Sequence, residues 1–270
     1  MRIFIGWFLA LLITVTTAYY QRKTGPSYPK EIQTELNGQA LKFKLPRTHD
    51  SDGNCEVRIP VNGNNVQGKI FFRRFPTNET WDTLAMSRTG NDLVASLPAQ
   101  PPAGKLQYFV ELTANSTVKR LDGQNAAIIR FKGPVPLWVL IPHILMMFLA
   151  MLFSNMAGLA AAFKVTRMRA YTIITVVLMV IGGFIFGPIM QKYAFGEFWT
   201  GVPFGWDLTD NKTLIAIVFW VLALLLNRNP RKLRPGWIII AAVITLLIYS
   251  IPHSLFGSEL NIATGTVTTG

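Results

Sequence analysis

Apolar runs of two lengths divide the chain. Residues 3–20 form an uncharged apolar run ending in Tyr19-Tyr20, and a longer uncharged run occupies 136–163. Others follow at 171–190 and 237–252, and one at 214–226 reaches full length only if polar Asp210–Thr213 form its first turn. A helix needs about 20 apolar residues to cross roughly 30 Å of hydrocarbon. The pattern therefore predicts five membrane-spanning helices.

Between 41 and 132 the period shortens to two. Residues 41–45, 69–75, 92–97, 105–113 and 126–131 alternate as half-buried strands do, with 55–61 and 117–121 as weaker strands. Turn residues separate them at Asp52-Gly53, Asn62-Gly63, Thr89-Gly90-Asn91, Pro101-Pro102-Ala103-Gly104 and Asp122-Gly123. About seven short strands at this spacing predict an antiparallel β-sandwich. The expected fold class is a multi-domain membrane protein, an α-helical bundle of five spans plus an extracytoplasmic all-β sandwich. Its divisions are an anchor at 1–20, the sandwich at 21–133, four helices with a loop 191–213 at 134–256, and a tail at 257–270.

Charge adds a direction. Of 26 Lys/Arg and 14 Asp/Glu, residues 21–133 hold 16 and 10. Most of the other basic residues lie in two loops. Lys164, Arg167 and Arg169 follow the second run, and Arg228, Arg231, Lys232 and Arg234 follow the fourth. The loop after the third run has only Lys192 and Lys212, offset by Glu197, Asp207 and Asp210. The positive-inside rule then puts the N-terminus and the two basic loops in the cytoplasm, and the β-domain, the 191–213 loop and the tail outside. The expected setting is a bacterial inner membrane with the β-domain and C-terminus in the periplasm. Met1-Arg2 and Thr16-Thr17-Ala18 also fit a cleaved signal, but the first run is read as a retained anchor. No basic stripe interleaved with aromatics appears, so the partners expected are lipid and protein, not nucleic acid. Cys55 is the single cysteine, excluding an intrachain disulfide and predicting a buried thiol.

Candidate chemistry is sparse. His49 falls in the polar stretch Arg47–Asp52, read as a surface loop. The other histidines, His143 and His253, each end an Ile-Pro-His tripeptide and are expected at similar depth near the outer face. Neutral imidazole is a common axial ligand of b-type haem, and Gly182, Gly183 and Gly187 offer either room for a macrocycle or close helix packing. Met147, one turn from His143, would suit Cu(I), although methionine is also adaptable packing. His143, Met147, Ser154, Gly158 and Ala161 share one helix face, which predicts a protein-facing seam. The aromatic loop 191–213, with Trp199, Trp206, Asp207 and Asp210, reads as an interfacial belt whose acids cap the next helix. The competing reading is a lid over a quinone, haem or lipid pocket.

Two resemblances add to this. The stretch from Trp81 through Met86–Leu93, Leu97-Pro98 and Gly104–Val110 resembles immunoglobulin-like or fibronectin-like modules of bacterial envelope proteins. It implies a sandwich that serves contact or spacing. Ile141-Pro142-His143, Gly187–Gly201, Asp207–Thr213, Ile251–Ser254 and Gly257-Ser258-Glu259 together resemble an uncharacterised inner-membrane family of Bacteroidota-type bacteria. That resemblance implies a setting and no activity. Two function classes stay open: a non-enzymatic accessory subunit whose β-domain docks a partner, and an electron-transfer protein holding haem or a metal through His143 and His253.

Overall fold

The computed structural model describes residues 2–268, apart from 37, 62–64, 116, 122–124, 166, 254 and 256–258. The turns expected at Asn62-Gly63 and Asp122-Gly123 lie outside the described residues, as do Ser254 and Gly257-Ser258 of the family resemblance. The chain forms two compact units: Met1–Pro26 with Val135–Ser258, and Ser27–Pro134 with Glu259–Thr268.

The first unit is helical: α1 (Arg2–Thr24), α2 (Leu137–Ala162), α3 (Met168–Met179), α4 (Gly187–Phe195), α5 (Leu208–Leu226) and α6 (Pro235–Ser250). A π-helical turn, Val180–Phe186, joins α3 to α4, so Met168–Phe195 is one continuous helix. Four helices are long and apolar enough to cross a membrane: Ile3–Thr24, Leu137–Ala162, Met168–Phe195 and Leu208–Leu226. The fifth expected span, α6, is apolar but has only 16 residues, about 24 Å of helix.

Small side chains let these helices approach closely, the usual solution where hydrocarbon removes the hydrophobic drive between helices. Ala150, Ala157, Ala160, Ala216, Ala223 and Ala241 are buried together. A Cβ on Gly158 would lie 2.6 Å from Ala242 Cβ, so α2 and α6 touch almost backbone to backbone. Ser154 and Ala161, expected on the same seam, are buried too. Several polar side chains inside the unit are paired, although Ser154 Oγ and Arg169 Nε have no hydrogen-bond partner among the described residues. Trp220 donates Nε1–H to Thr245 Oγ1 at 2.8 Å, and Asn155 donates to Thr14 Oγ1 at 2.9 Å. Large apolar side chains cover much of the outside, among them Phe4 at 81 %, Leu137 at 67 % and Leu247 at 63 % exposure.

The second unit is built of strands. All seven expected ones form: β2 (Gln39–Leu45), β4 (Cys55–Pro60), β5 (Val66–Arg74), β8 (Asp92–Leu97), β9 (Lys105–Ala114), β10 (Thr117–Arg120) and β11 (Ala127–Lys132). Sequence reasoning missed β1 (Lys30–Leu36), β3 (Thr48–Asp50), β6 (Asp82–Ala85) and β7 (Ser87–Thr89), which are short or largely polar. A six-stranded sheet runs β3-β11-β9-β5-β6 with β10 also on β9, a three-stranded sheet runs β4-β8-β7, and β1 pairs with β2. Alternate residues such as Val57, Ile59, Ile70, Leu97, Leu106, Tyr108, Val110 and Ile129 point into one shared core. His49 is a correction to the loop reading. It lies in β3 opposite Phe131, because Thr48–Asp50 pairs in parallel with β11, and three residues are too few to show a period. The tail forms a hairpin, β12 (Glu259–Leu260) and β13 (Val267–Thr268), and rejoins this unit through a Lys105–Glu259 ion pair.

Cys55 is 2 % exposed, and burial followed by the neighbouring Glu56 charge pushes its thiol up to about 11. The folded state thus holds the proton more tightly, so this stabilisation is complete below the ordinary thiol value and disappears as pH rises toward about 11. At neutral pH an uncharged maleimide should label folded protein at least a hundredfold more slowly than urea-unfolded protein, read by mass shift. Equal labelling rates would contradict a buried Cys55.

Candidate functional site

The buried charged groups of the helical unit gather where α4, the following loop, the start of α5 and the end of α6 meet. Two prolines shape the approach. Pro142 lies inside α2 and has no N–H to close its turn. Pro188 opens α4, and its ring crowds the carbonyl four residues earlier; the wider π-helical turn through Gly182 and Gly183 accommodates it. The freed geometry leaves Gly182 O able to take a second donor. It accepts from Gly187 N–H and from His143 Nδ1 at 2.9 Å. A carbonyl only accepts, so Nδ1 of His143 carries the proton and Nε2 keeps its lone pair in the neutral ring.

The glycines around His143 serve packing. A Cβ on Gly182 would sit 2.8 Å from Met146 Cβ and 2.9 Å from Met147 Sδ, and one on Gly183 would sit 2.7 Å from Thr213 Cγ2. The space sought for a macrocycle is therefore occupied at these two positions by α2 and α5. Met147 Sδ also lies 4.0 Å from the Tyr249 hydroxyl.

Asp210 organises the loop. Buried on the first turn of α5, its Oδ2 accepts from Thr200 N–H at 2.6 Å, Gly201 N–H at 3.1 Å and Thr200 Oγ1 at 3.2 Å. Gln191 donates to Thr200 Oγ1 at 2.6 Å, and Asn211 Oδ1 accepts Val202 N–H at 2.8 Å. Gly201 has no room for a side chain here, since a Cβ would meet Asp210 Cβ and Asn211 Oδ1 at 2.7 Å. Asp207 is the N-cap of α5 and accepts Thr209 N–H at 2.7 Å, as a carboxylate at a helix start should.

Lys212 is the residue sequence reasoning undervalued, counting it only as a loop charge. It is 4 % exposed, and its ammonium donates to Ile251 O at 2.9 Å and Pro252 O at 3.2 Å, just past the end of α6. Gln21 donates to Tyr249 O at 2.6 Å. The last carbonyls of α6 thus receive donors from α1 and α5. The only sequence signal was a lysine one turn inside an apolar helix and a glutamine just after an anchor.

His253 is exposed and makes no hydrogen bond among the described residues, although Lys212, His143 and Asp207 lie within its electrostatic range. No hydrogen bond joins the two imidazoles. Among the described residues no three His, Cys, Asp or Glu side chains gather as a metal site. Of the two loop tryptophans, Trp199 stacks on Phe184 at 5.6 Å and donates to Val202 O at 3.0 Å, whereas Trp206 is 76 % exposed. No family model, curated protein or solved structure matches the chain.

These bonds rank the loop residues. Asp210→Ala strips buried amides of their acceptor and should cost about 2–4 kcal/mol, against about 1 kcal/mol for loss of the Asp207 cap. Trp206→Ala should be near neutral. Thermal unfolding of the full chain in detergent gives the order, and equal effects for Asp210→Ala and Trp206→Ala would contradict it.

Proposed function

We propose that this protein is an integral bacterial inner-membrane protein acting as a non-catalytic accessory subunit, with its β unit docking a protein partner. In this reading all five apolar helices span. The N-terminus and basic loops are cytoplasmic, and the β unit is an immunoglobulin-like sandwich in the periplasm. The apolar exterior of the helical unit supports a lipid environment, since an uncovered patch of that size is unusual in water.

The observation that carries the subunit reading is the use made of the buried charges. Asp207, Asp210 and Lys212 each bind main-chain groups of a neighbouring turn or helix end. They hold the loop and helix ends in place and do not form a nucleophile–base pair. Docking draws on the sheet face turned away from the β core. There Phe71 stacks on Phe109 at 4.9 Å, Trp81 meets Phe109 edge-on at 5.0 Å, Arg73 lies over Trp81 at 4.5 Å and Arg120 over Phe109 at 3.7 Å. Rigid aromatics held by arginines are the side chains that dominate protein interfaces.

A second reading keeps one favourable observation. The Nδ1–H bond of His143 to a backbone carbonyl is the outer-shell arrangement that orients ligating histidines, leaving Nε2 for a haem iron or metal. A visible spectrum and elemental analysis of the purified full chain test it, and a preparation with no Soret band and no metal removes it.

For the subunit reading, the full chain is purified from native membranes after photo-cross-linking from position 120. A single stoichiometric protein adduct is expected, reduced at least tenfold by Trp81→Ala. An uncross-linked monomer in every preparation, or an adduct indifferent to Trp81→Ala, would overturn it.

A further inference from the structure

The basic end of the helical unit has a feature that a merely solvated loop does not need. Alpha-helix α2 ends at Ala162, and its last turn closes by Val165 N–H donating to Ala160 O at 2.7 Å and Lys164 N–H to Ala161 O at 3.3 Å. This is the hydrogen-bond pattern of a Schellman ending, whose left-handed position glycine normally fills. Here Lys164 fills it, at φ 55°. A lysine in that conformation carries a backbone cost that glycine avoids. Its side chain also lines an open groove of about 430 Å³ with Ile5, Ala162 and Phe163.

The next residues repeat the anomaly. Arg167 is the N-cap of α3 and Arg169 lies on its first turn, with no acidic residue there. Cations are unfavourable at a helix N-terminus, so neither arginine is explained by the helix it opens. Arg169 Nε is buried and has no hydrogen-bond partner, and no ion pair engages the side chains of Lys164, Arg167 or Arg169 among the described residues. An apolar groove lined by Lys164 thus lies at the connection between α2 and α3, a few residues along the chain from Arg167 and the unfilled donor of Arg169.

We infer that the α1–α2–α3 end holds an anionic phospholipid, its acyl chain along Ile5, Ala162 and Phe163 and its phosphate between Lys164 and Arg169. The charge and the apolar wall select a lipid over a soluble anion, because the groove opens among helices whose outer surface is itself apolar. The inference rests on the membrane reading proposed above.

The test uses the full chain in a mild non-ionic detergent, with thermal unfolding followed as phosphatidylglycerol, phosphatidylcholine or inorganic phosphate is added. Phosphatidylglycerol should raise Tm by about 5 °C, and the other two should not. Lys164→Gly should retain or raise the lipid-free Tm, since it relieves the backbone, yet lose at least half of the phosphatidylglycerol shift. Arg169→Gln should lose as much, while Arg231→Gln in the other basic loop should keep the shift. Equal shifts with phosphatidylcholine, a full shift with inorganic phosphate, or an undiminished shift in Lys164→Gly would each overturn the lipid site. Alkaline carbonate extraction separates the two levels. A chain that stays in the membrane pellet but shows no phosphatidylglycerol preference refutes only the site; a chain released to the supernatant refutes the membrane reading beneath it.

Discussion

The carboxylate of Asp210 accepts the main-chain amides of Thr200 and Gly201, and the turn between α4 and α5 depends on that contact. Helices among apolar neighbours have no water to satisfy their ends, so each unpaired amide or carbonyl needs a side chain from elsewhere. Asp210 supplies acceptors for the loop, Asp207 caps α5, and Lys212 and Gln21 supply donors for the end of α6. One requirement therefore explains why the buried charged residues Asp207, Asp210 and Lys212 sit where they do. Where α6 ends, Ile251 is extended, and the carbonyls of Ile251 and Pro252 are met by Lys212 instead of by another helical turn.

The same requirement limits what the site can do chemically. A carboxylate that already accepts several donors and an ammonium held by two carbonyls are organised for position. The imidazole of His143 differs. Its Nδ1–H is fixed on Gly182 O, and its Nε2 has no hydrogen-bond partner among the described residues. This asymmetry is why the cofactor reading keeps one supporting observation while the packing of Gly182 and Gly183 favours the simpler one.

The two ends of the helical unit use polar residues in opposite ways. At one end charges are buried and matched to the backbone. At the other, Lys164, Arg167 and Arg169 form no such bonds among the described residues, and Lys164 occupies a backbone conformation that suits glycine. The β unit shows a third use, in which Arg73 and Arg120 lie over aromatic rings on the face of a sheet opposite its apolar core.

Hydrophobic period alone determined where the helices lie and where seven of the strands lie, because burial of one face or of a whole segment is written directly into the order of apolar residues. Residue type, not period, offered the loop acids Asp207 and Asp210 as caps, of which Asp207 is the N-cap of α5, and a lone cysteine, Cys55, as a buried thiol. Only the tertiary structure decided what a period cannot encode. His49 became a strand residue through pairing with β11, and the tail joined the β unit through residues more than 150 positions earlier in the chain. Lys212 became a buried helix-end donor to α6, and the glycines beside His143 became helix contacts. Each depends on a partner distant in sequence, and a partner's position is fixed only when the helices and sheets have packed.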